Sequence, residues 1–352
     1  MGKESMTPRE RWIAVLKNQK PDRLPLDYWA TPEADHILKR HLNCSTSREL
    51  YDKLHIDRPI FIGPVYKGPA IPKGQDVYGI VYKDVDYNSG TYSECVYHPL
   101  AEFESVDEIE ANYTWPEIEW YDYSVIPHQI KGKEAYPIAG GGSEPFLTYK
   151  ALRGDEQAFM DLVLNPDIVD YCLDKLFGFC YENTARILEM AKGEVTYSYV
   201  AEDMGSERDL MFSPAHINRF LIPRMKKMID LIHSAGTYVF HHNDGAIRKI
   251  LPDLIEAGID ILNPIQWRCH GMSREDIKKD FGNDVVFHGG MDNQYTLAFG
   301  GVDEVKDEVI DNIKVLGADG GYILAPCHNI QAISPPENIV AMYETAYEFG
   351  WY

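Results

Sequence analysis

Four motifs that often reveal an enzyme's class are absent from this chain of 352 residues. The sequence has no G-x-G-x-x-G, Walker A, H-E-x-x-H or G-x-S-x-G stretch. This argues against a dinucleotide-binding protein, a P-loop NTPase, a zincin and a hydrolase with a nucleophile elbow. The six cysteines include no C-x-x-C pair, which excludes a zinc ribbon and a thioredoxin-like motif. The function must be inferred from residues that the fold brings together.

Basic residues are scarce, and long apolar runs are missing. The 34 lysines and arginines are outnumbered by 55 aspartates and glutamates, for a formal charge of −21. Such a charge repels nucleic acid and anionic bilayers. No run of about 18 apolar residues occurs, and the stretch MGKESMTPRERW lacks the apolar core of a signal peptide. We therefore expect a cytoplasmic protein with no nucleic-acid or membrane partner; its oligomeric state stays open, with a homodimer as one option.

Residues 136–352 alternate short apolar runs with longer helical patterns. The apolar runs are YPIAGG, VTYSYVAED, TYVFHHNDG, IDILNPIQ, VVFHGGMD and GGYILAPCHN. Because such βα alternation requires a parallel sheet, the predicted fold class is α/β. Polar residues follow nearly every run, which favours a (β/α)8 TIM barrel, where all strand ends meet at one mouth, over an open sheet.

Residues 60–135 have a different character. They are rich in Pro, Gly, Tyr and Asp and contain two strand-like stretches, DVYGIVYKDVDY and TYSECVYHPL. We predict that they form an N-terminal β-rich elaboration on the barrel, within a single domain spanning residues 1–352. Ahead of them, Thr7, Pro8 and Glu10 have the spacing of a capping box and predict a short helix.

Polar side chains with useful chemistry cluster at the predicted strand ends. They are Glu202, Asp203, His241, His242, Asp244, Asn263, Gln266, His288, Asp292, Cys327 and His328. In barrels of this kind the active site is built at the mouth where the strands end. We therefore expect these side chains to form the functional site.

Several stretches, in order along the chain, carry a family resemblance. They are TPRERWIAVLKNQKPDRLPL, GGGSEPFLTYKALRG, HHNDGAIRKILPDLIEAGIDILNPIQ, FHGGMDNQ and GGYILAPCHNIQAISPPENI. They resemble the uroporphyrinogen decarboxylase superfamily, which also contains corrinoid-linked methyltransferases. The decarboxylases carry an arginine-rich segment after the first strand that clamps the propionates of the substrate. Here that place reads LPLDYWATPEADHI, without arginine, so porphyrinogen decarboxylation is disfavoured.

The methyltransferase branch of this superfamily binds zinc through a His-x-Cys pair and a second Cys near the chain end. By this resemblance His242 and Cys327 fill two of the three positions, and Asp244 replaces the first thiolate. Zinc accepts nitrogen, sulfur and carboxylate oxygen together, so the expected metal ligands are His242, Asp244 and Cys327. The chain has no D-x-H-x-x-G cobalamin signature, so the corrinoid is expected on a partner protein.

The resemblance implies a metal-dependent methyltransferase that moves a methyl group between a small molecule, such as a methyl ether or thiol, and the corrinoid protein. The expected catalytic residues are Glu202, Asp203 and His288. The expected substrate-binding residues are Asp27, Tyr28, Asn263, Gln266, Asp292 and His328. Two alternatives remain open: a decarboxylase or lyase acting on a non-porphyrin carboxylated substrate, and a small-molecule-binding barrel without catalysis.

Several of these residues also have an ordinary structural interpretation. Side chains alternate along a strand, so only one of His241 and His242 faces the mouth, and the resemblance favours His242. Asp244 is equally suited to cap the helix after it, and Cys327 to be a small buried hydrophobe. The Glu202–Asp203 pair could supply a cap for the next segment, and His288 could be a hydrogen-bonded barrel histidine.

Overall fold

The computed structural model of the protein describes residues 4–86 and 90–352. Eleven strands are found in these residues: β1 (Ile60–Ile62), β2 (Val65–Tyr66), β3 (Val81–Asp86), β4 (Thr91–Tyr97), β5 (Tyr121–Asp122), β6 (Ile138–Ser143), β7 (Tyr197–Ala201), β8 (Tyr238–His242), β9 (Ile261–Asn263), β10 (Val286–Met291) and β11 (Tyr322–Pro326).

The helices in the same part of the chain include one long member, α8, and many short ones. They are α1 (Pro8–Leu16), α2 (Pro32–His41), α3 (Ser47–Lys53), α4 (Val106–Asn112), α5 (Ile126–Ile130), α6 (Pro145–Arg153), α7 (Asp155–Leu164), α8 (Pro166–Ala191), α9 (Pro214–His216), α10 (Ile222–Ser234), α11 (Leu251–Ala257), α12 (Arg274–Phe281), α13 (Thr296–Phe299), α14 (Val302–Leu316) and α15 (Pro336–Phe349). None of the helices in the described ranges is both long and apolar enough to cross a membrane.

A parallel sheet of seven strands organises the chain. Its strand order is β1-β6-β7-β8-β9-β10-β11, so neighbours in the sheet follow one another in sequence once β2–β5 are set aside. The sheet is curled: Leu26 forms a parallel bridge with Leu324 of β11, and the backbone N–H of Asp57, just ahead of β1, donates to the carbonyl of Leu26 at 2.7 Å. The fold is therefore α/β and TIM-barrel-like, and each of the six predicted apolar runs overlaps a strand of the sheet.

The segment between β1 and β6 carries the small antiparallel elements. Strands β3 and β4 pair in a hairpin, at the two stretches predicted as strands, and β2 pairs with β5. Residues 87–89, which belong to the predicted strand region, lie outside the described residues. The predicted elaboration began at residue 60, whereas β1 belongs to the main sheet. A separate β-rich unit stays a prediction.

Helix α1 packs on side chains of the curled sheet. It starts with the predicted capping box: Thr7 accepts from the backbone of Glu10, and the Glu10 carboxylate accepts from the backbone of Thr7. Its Trp12 is fully buried and stacks on Tyr197 of β7, with ring centroids 5.5 Å apart, and Tyr197 stacks on Phe240 of β8. Burying side chains of this size stabilises the fold by roughly 2–3 kcal/mol each. This aromatic layer is the floor of the site described below.

Candidate active site

The carboxyl ends of the parallel strands place polar side chains at one mouth. Glu144 follows β6, Asp203 follows β7, His242 is the last residue of β8 and Asn263 is the last residue of β9. Adjacent strands are in register at these positions, with Ala201 opposite His242 and His242 opposite Asn263. Residues far apart in sequence therefore meet here, as expected for a barrel-type fold.

A cluster of two carboxylates and one imidazole lies at the centre of the mouth. The ligand atoms of Asp203, His242 and Asp244 all lie within 4.8 Å of one another. Nε2 of His242 is 3.7 Å from Oδ1 of Asp203, and the backbone N–H of Asp244 donates to that oxygen at 3.1 Å. Within residues 4–86 and 90–352 no other set of three or more His, Cys, Asp or Glu side chains meets this criterion. Nitrogen and carboxylate oxygen are both ligands that zinc accepts, so the donor set suits a divalent metal.

His242, not His241, faces the mouth. His241 is fully buried, and its Nδ1 lies 2.8 Å from the carbonyl oxygen of Val200, with its Nε2 lacking a partner among the described residues. Burial lowers the pKa of His241 to about 4, which keeps it neutral. The alternation of side chains along β8 thus separates one structural histidine from one that faces the site.

A chain of hydrogen bonds lies behind His242. Its Nδ1 is 2.6 Å from Oδ1 of Asn263. Nδ2 of Asn263 is 2.7 Å from Nδ1 of His288, and Nε2 of His288 is 3.1 Å from Oδ2 of Asp27. Asn263, His288 and Asp27 are each at most 1% exposed. Three residues that the sequence placed in substrate-binding or catalytic roles therefore lie in one buried line that ends at His242.

Glu144 belongs to the site, and the sequence analysis missed it. Burial raises its pKa to about 7; His242 opposes this rise, whereas the carboxylates of Asp203 and Asp244 add to it. A carboxyl group with this pKa can give or take a proton near neutral pH. A signal was available, because Glu144 lies three residues after the apolar run YPIAGG and is the first residue after β6.

Glu202 serves a different purpose from its neighbour Asp203. Its two carboxylate oxygens accept from the backbone N–H groups of Phe146 at 2.7 Å and Leu147 at 3.3 Å, at the start of α6. Burial raises the pKa of Glu202 well above its ordinary value. Glu202 therefore caps α6, a helix that precedes it in the chain, whereas the structural interpretation made from sequence was a cap of the following segment. Its catalytic role stays a prediction.

A cleft of about 220 Å³ opens beside the cluster. Its walls include Asp244, Gln266, Trp267, Arg268, Cys269, Asp292, Asn293 and Cys327. Nε2 of Gln266 donates to the Asp244 carboxylate at 3.1 Å, so the cleft and the cluster share Asp244. This volume is below the 300 Å³ or more typical of sites for drug-sized ligands, and it suits a small substrate.

The predicted residues differ in how they contact this cleft. The Sγ of Cys327 donates to the carbonyl of Ile265 at 3.2 Å, and burial raises the pKa of its thiol well above the ordinary value. Asp292 accepts from the guanidinium of Arg268 and from backbone N–H groups that follow it. Gln266, Asp292 and Cys327 thus lie on the cleft wall. As a metal ligand Cys327 stays a prediction, because it lies outside the three-residue cluster.

His328 and Tyr28 lie at opposite extremes of exposure. His328 is exposed, and it lies near enough to Asp244 for its positive charge to oppose the rise that burial causes in the pKa of Asp244. Tyr28 is buried in the main core, where its ring packs on Tyr51 and Tyr343, and it does not line the cleft. A substrate contact for either residue stays a prediction.

The sequence model of the family described as uroporphyrinogen decarboxylase (URO-D) matches residues 84–349. Among curated proteins, the chain is similar to the uroporphyrinogen decarboxylase of Microcystis aeruginosa, at 23% identity over 227 residues, which cover 62% of this chain and 56% of that protein. It is also similar to the uroporphyrinogen decarboxylase of Thermus thermophilus, at 26% identity over 219 residues, covering 61% and 56%. The matches span about half the length of these relatives.

Among the solved structures that resemble the chain is one that covers nearly all of it. It is a methyltransferase from Methanosarcina mazei, which superimposes with a TM-score of 0.70 at 20% sequence identity and covers 98% of this chain and 99% of that one. At this identity the likeness establishes the shared fold. It does not by itself assign the reaction.

Proposed function

Because the chain belongs to the uroporphyrinogen decarboxylase (URO-D) family, whose model matches most of its length, we propose that it is a methyltransferase of that superfamily that depends on a divalent metal. The methyl group passes between a small molecule, such as a methyl ether or a thiol, and a corrinoid carried by a separate protein. The observation that supports this most is the cluster of Asp203, His242 and Asp244 at the mouth. Zinc is the first candidate for the metal.

The three residues of the cluster are suited to bind a divalent metal. Two carboxylates and one imidazole supply three ligands, and the adjacent cleft gives a substrate atom access to a fourth position. When bound, the metal supplies Lewis acidity, which stabilises negative charge on an ether oxygen or a thiol sulfur. Asp244 contributes to both the cluster and the cleft, so it places the substrate's reacting end beside the ligands. Glu144 is the proton donor or acceptor for the oxygen or sulfur that loses or gains the methyl group.

The charges of the cleft disfavour a porphyrinogen as substrate. Arg268 is the cationic residue of its wall, and its guanidinium already pairs with Asp292. Arg23, which precedes the segment where the decarboxylases carry their arginines, is buried and bonded to Asp57. A tetrapyrrole with several carboxylates needs more free cationic donors than these residues offer. A small neutral or singly charged substrate is the better match.

The second candidate function is decarboxylation, or a related lyase reaction, on a non-porphyrin carboxylated substrate. It is favoured by the names of the curated relatives and by Glu144, which can deliver a proton to carbon near neutral pH. The two candidates differ in their need for a metal. In the decarboxylase the cluster would serve as acid and base groups, and activity would survive a chelator.

The experiment is metal analysis of the purified protein by mass spectrometry, combined with substitutions. The methyltransferase proposal expects close to one divalent metal per chain, lost in His242→Ala. The matched control is His128→Ala, because His128 lies exposed on α5, outside the site. A protein that binds no divalent metal from any of zinc, cobalt or nickel solutions would refute the metal-dependent reaction and leave the decarboxylase.

Three further features belong to the same proposal. The segment around Leu26 is the first of eight strands of a (β/α)8 barrel, and residues between β1 and β6 form its elaboration. The corrinoid protein docks at the open mouth, since the methyl group has to reach the cleft. The protein acts in the cytoplasm.

A further inference from the structure

The buried line of hydrogen bonds from Asp27 to His242 has a defined order of donors and acceptors. The Asp27 side chain also accepts from Trp29, whose Nε1 donates to Oδ2 at 2.8 Å, and from the backbone N–H of Tyr28, which donates to Oδ1 at 2.8 Å. Burial opposes its ionisation, but the hydrogen bond with His288, the nearby charge of Arg58 and the hydrogen bond from the backbone N–H of Tyr28 outweigh this and hold the pKa of Asp27 below its ordinary value. An ionised carboxylate only accepts hydrogen bonds. Nε2 of His288 must therefore carry the proton in its bond to Asp27.

The same order of donors and acceptors continues from His288 through Asn263 to His242. Nδ2 of Asn263, which only donates, lies 2.7 Å from Nδ1 of His288, so Nδ1 is the acceptor of this pair and the proton of His288 is on Nε2. The amide group is rigid, so its Oδ1 must then face His242, from which it is 2.6 Å away. An amide oxygen only accepts. Nδ1 of His242 must therefore be the protonated nitrogen.

We infer that Asp27, His288 and Asn263 are positioning residues that fix the proton of His242 on Nδ1 and direct the lone pair of Nε2 at Asp203 and Asp244. The use of that lone pair as a metal ligand rests on the proposed function; the tautomer itself does not. A histidine binds a metal through an unprotonated nitrogen, and a hydrogen bond at its other nitrogen fixes both the tautomer and the ring orientation. Here Asn263 supplies that bond, and His288 and Asp27 fix the orientation of Asn263.

Aromatic rings surround the line and shield its hydrogen bonds from water. The ring of Trp29 lies 5.9 Å from that of His242 and 5.8 Å from that of His288, and the ring of Phe240 lies 5.0 Å from that of His288. The hydroxyl of Tyr343 donates to the backbone carbonyl of Asp27 at 2.8 Å, which holds the far end in place. In such an apolar setting a hydrogen bond is stronger and an unpaired polar group is costly, so the order of donors and acceptors is tightly fixed.

The test measures the tautomer directly. Metal-free protein labelled with 15N-histidine is studied at about pH 8 by long-range 1H–15N correlation, with the His242 signals assigned by their loss in His242→Gln. The expected result is a proton on Nδ1 of His242 in the wild type. An unprotonated Nδ1 would overturn the inference, whether or not the protein binds metal.

Two substitutions at Asn263 of similar size make the readout sharper. In Asn263→Asp, a carboxylate still accepts from His242, so the proton stays on Nδ1. In Asn263→Leu, the acceptor is gone, and the proton should move to Nε2, where the Asp203 carboxylate accepts it. If Asn263→Leu leaves the proton on Nδ1, the line does not control the tautomer. The wild-type spectrum decides the matter if Asn263→Leu fails to fold.

Metal affinity gives a second, separate readout. Chelator competition with Zn²⁺ should give a dissociation constant 10- to 100-fold higher in Asn263→Leu than in the wild type, with Asn263→Asp closer to the wild type. His233→Ala is the control, because His233 pairs with Asp260 outside the site. A wild type that binds no metal but carries the Nδ1 proton would refute the proposed function and keep the positioning line. Equal affinities for Zn²⁺ in all variants would contradict the positioning role of the line.

Discussion

Nε2 of His242 lies 3.7 Å from Oδ1 of Asp203, across the neighbouring strand ends of β8 and β7. This pair joins the buried hydrogen-bond line behind His242 to the carboxylates in front of it. The imidazole is held from behind by Asn263 and presents its other nitrogen to Asp203 and Asp244.

Substitution of Glu202 should lower stability, whereas substitution of the adjacent Asp203 should reduce metal binding. Glu202→Ala removes the cap of α6 and should lower the free energy of unfolding by about 1–2 kcal/mol, because two backbone N–H groups lose their acceptor. Asp203→Asn should leave stability nearly unchanged and reduce metal binding. Urea unfolding and metal analysis of both variants test this. A loss of metal in Glu202→Ala with no loss of stability would reverse the two roles.

Glu144 should make the stability of the metal-free protein depend on pH. Its pKa is about 7 in the folded state and near the ordinary 4.5 in the unfolded state, so folding favours the protonated form. The free energy of unfolding should therefore fall as pH rises from about 4.5 to about 7, by at most about 3 kcal/mol. Other groups titrate in this range, so the relevant quantity is the difference between the wild type and Glu144→Gln, measured by urea unfolding at pH 5 and pH 8.

In Glu144→Gln the wild-type loss at the higher pH should be absent, which makes the variant more stable than the wild type at pH 8. A pH profile identical to that of the wild type would mean that Glu144 is not desolvated in the folded protein. Because both proteins are measured without metal, the result does not depend on the proposed reaction.

Asp57 should be a stability residue. Its carboxylate is 1% exposed and bonds to the guanidinium groups of Arg11 and Arg23 and to the backbone N–H of Leu26. Removal of its charge takes from Arg11 and Arg23 the buried carboxylate that they share, while Arg11 keeps Asp22 and Arg23 keeps Glu4. Asp57→Asn should therefore lower the free energy of unfolding by about 3 kcal/mol. The control is Asp52→Asn, whose exposed pair with Arg48 should contribute less than about 1 kcal/mol. Similar losses in the two variants would contradict this interpretation.

The sequence predicted the scaffold because the scaffold depends on local patterns. Buried strands of a parallel sheet are short apolar runs, and the six runs after residue 135 all overlap strands. The rule that sites form at strand ends then selected His242, Asp244 and Asp203. The predicted elaboration began at residue 60 and so included β1, which belongs to the main sheet, because the three residues of β1 are too few to stand out in a region rich in Pro and Gly.

The side-chain partners could not be predicted in the same way. Glu202 and Asp203 are adjacent and both acidic, and only the position of the α6 N-terminus shows which of them is the cap. The contact between Asp27 and His288 spans most of the chain and depends on how far the sheet curls. Tyr28 was expected at the site from the resemblance; its ring packs on Tyr51 and Tyr343 in the core, and its contact with substrate stays a prediction.

Porphyrinogen should not be turned over. The cleft of about 220 Å³ is small, and its arginine is already paired. Incubation of the pure protein with uroporphyrinogen, analysed by chromatography for coproporphyrinogen, should give no product above the rate without protein. A measurable rate would show that propionates are recognised without the arginine-rich segment, and it would favour decarboxylation over methyl transfer.

X-ray absorption at the zinc K-edge of the zinc-loaded wild type tests the central claim most directly, because it reports which atoms surround the metal. The cluster of Asp203, His242 and Asp244 predicts a shell of nitrogen and oxygen only, at about 2.0–2.2 Å. A sulfur scatterer at about 2.3 Å, lost in Cys327→Ser, would mean that Cys327 is a ligand and would contradict the claim that Asp203, His242 and Asp244 supply all the protein ligands.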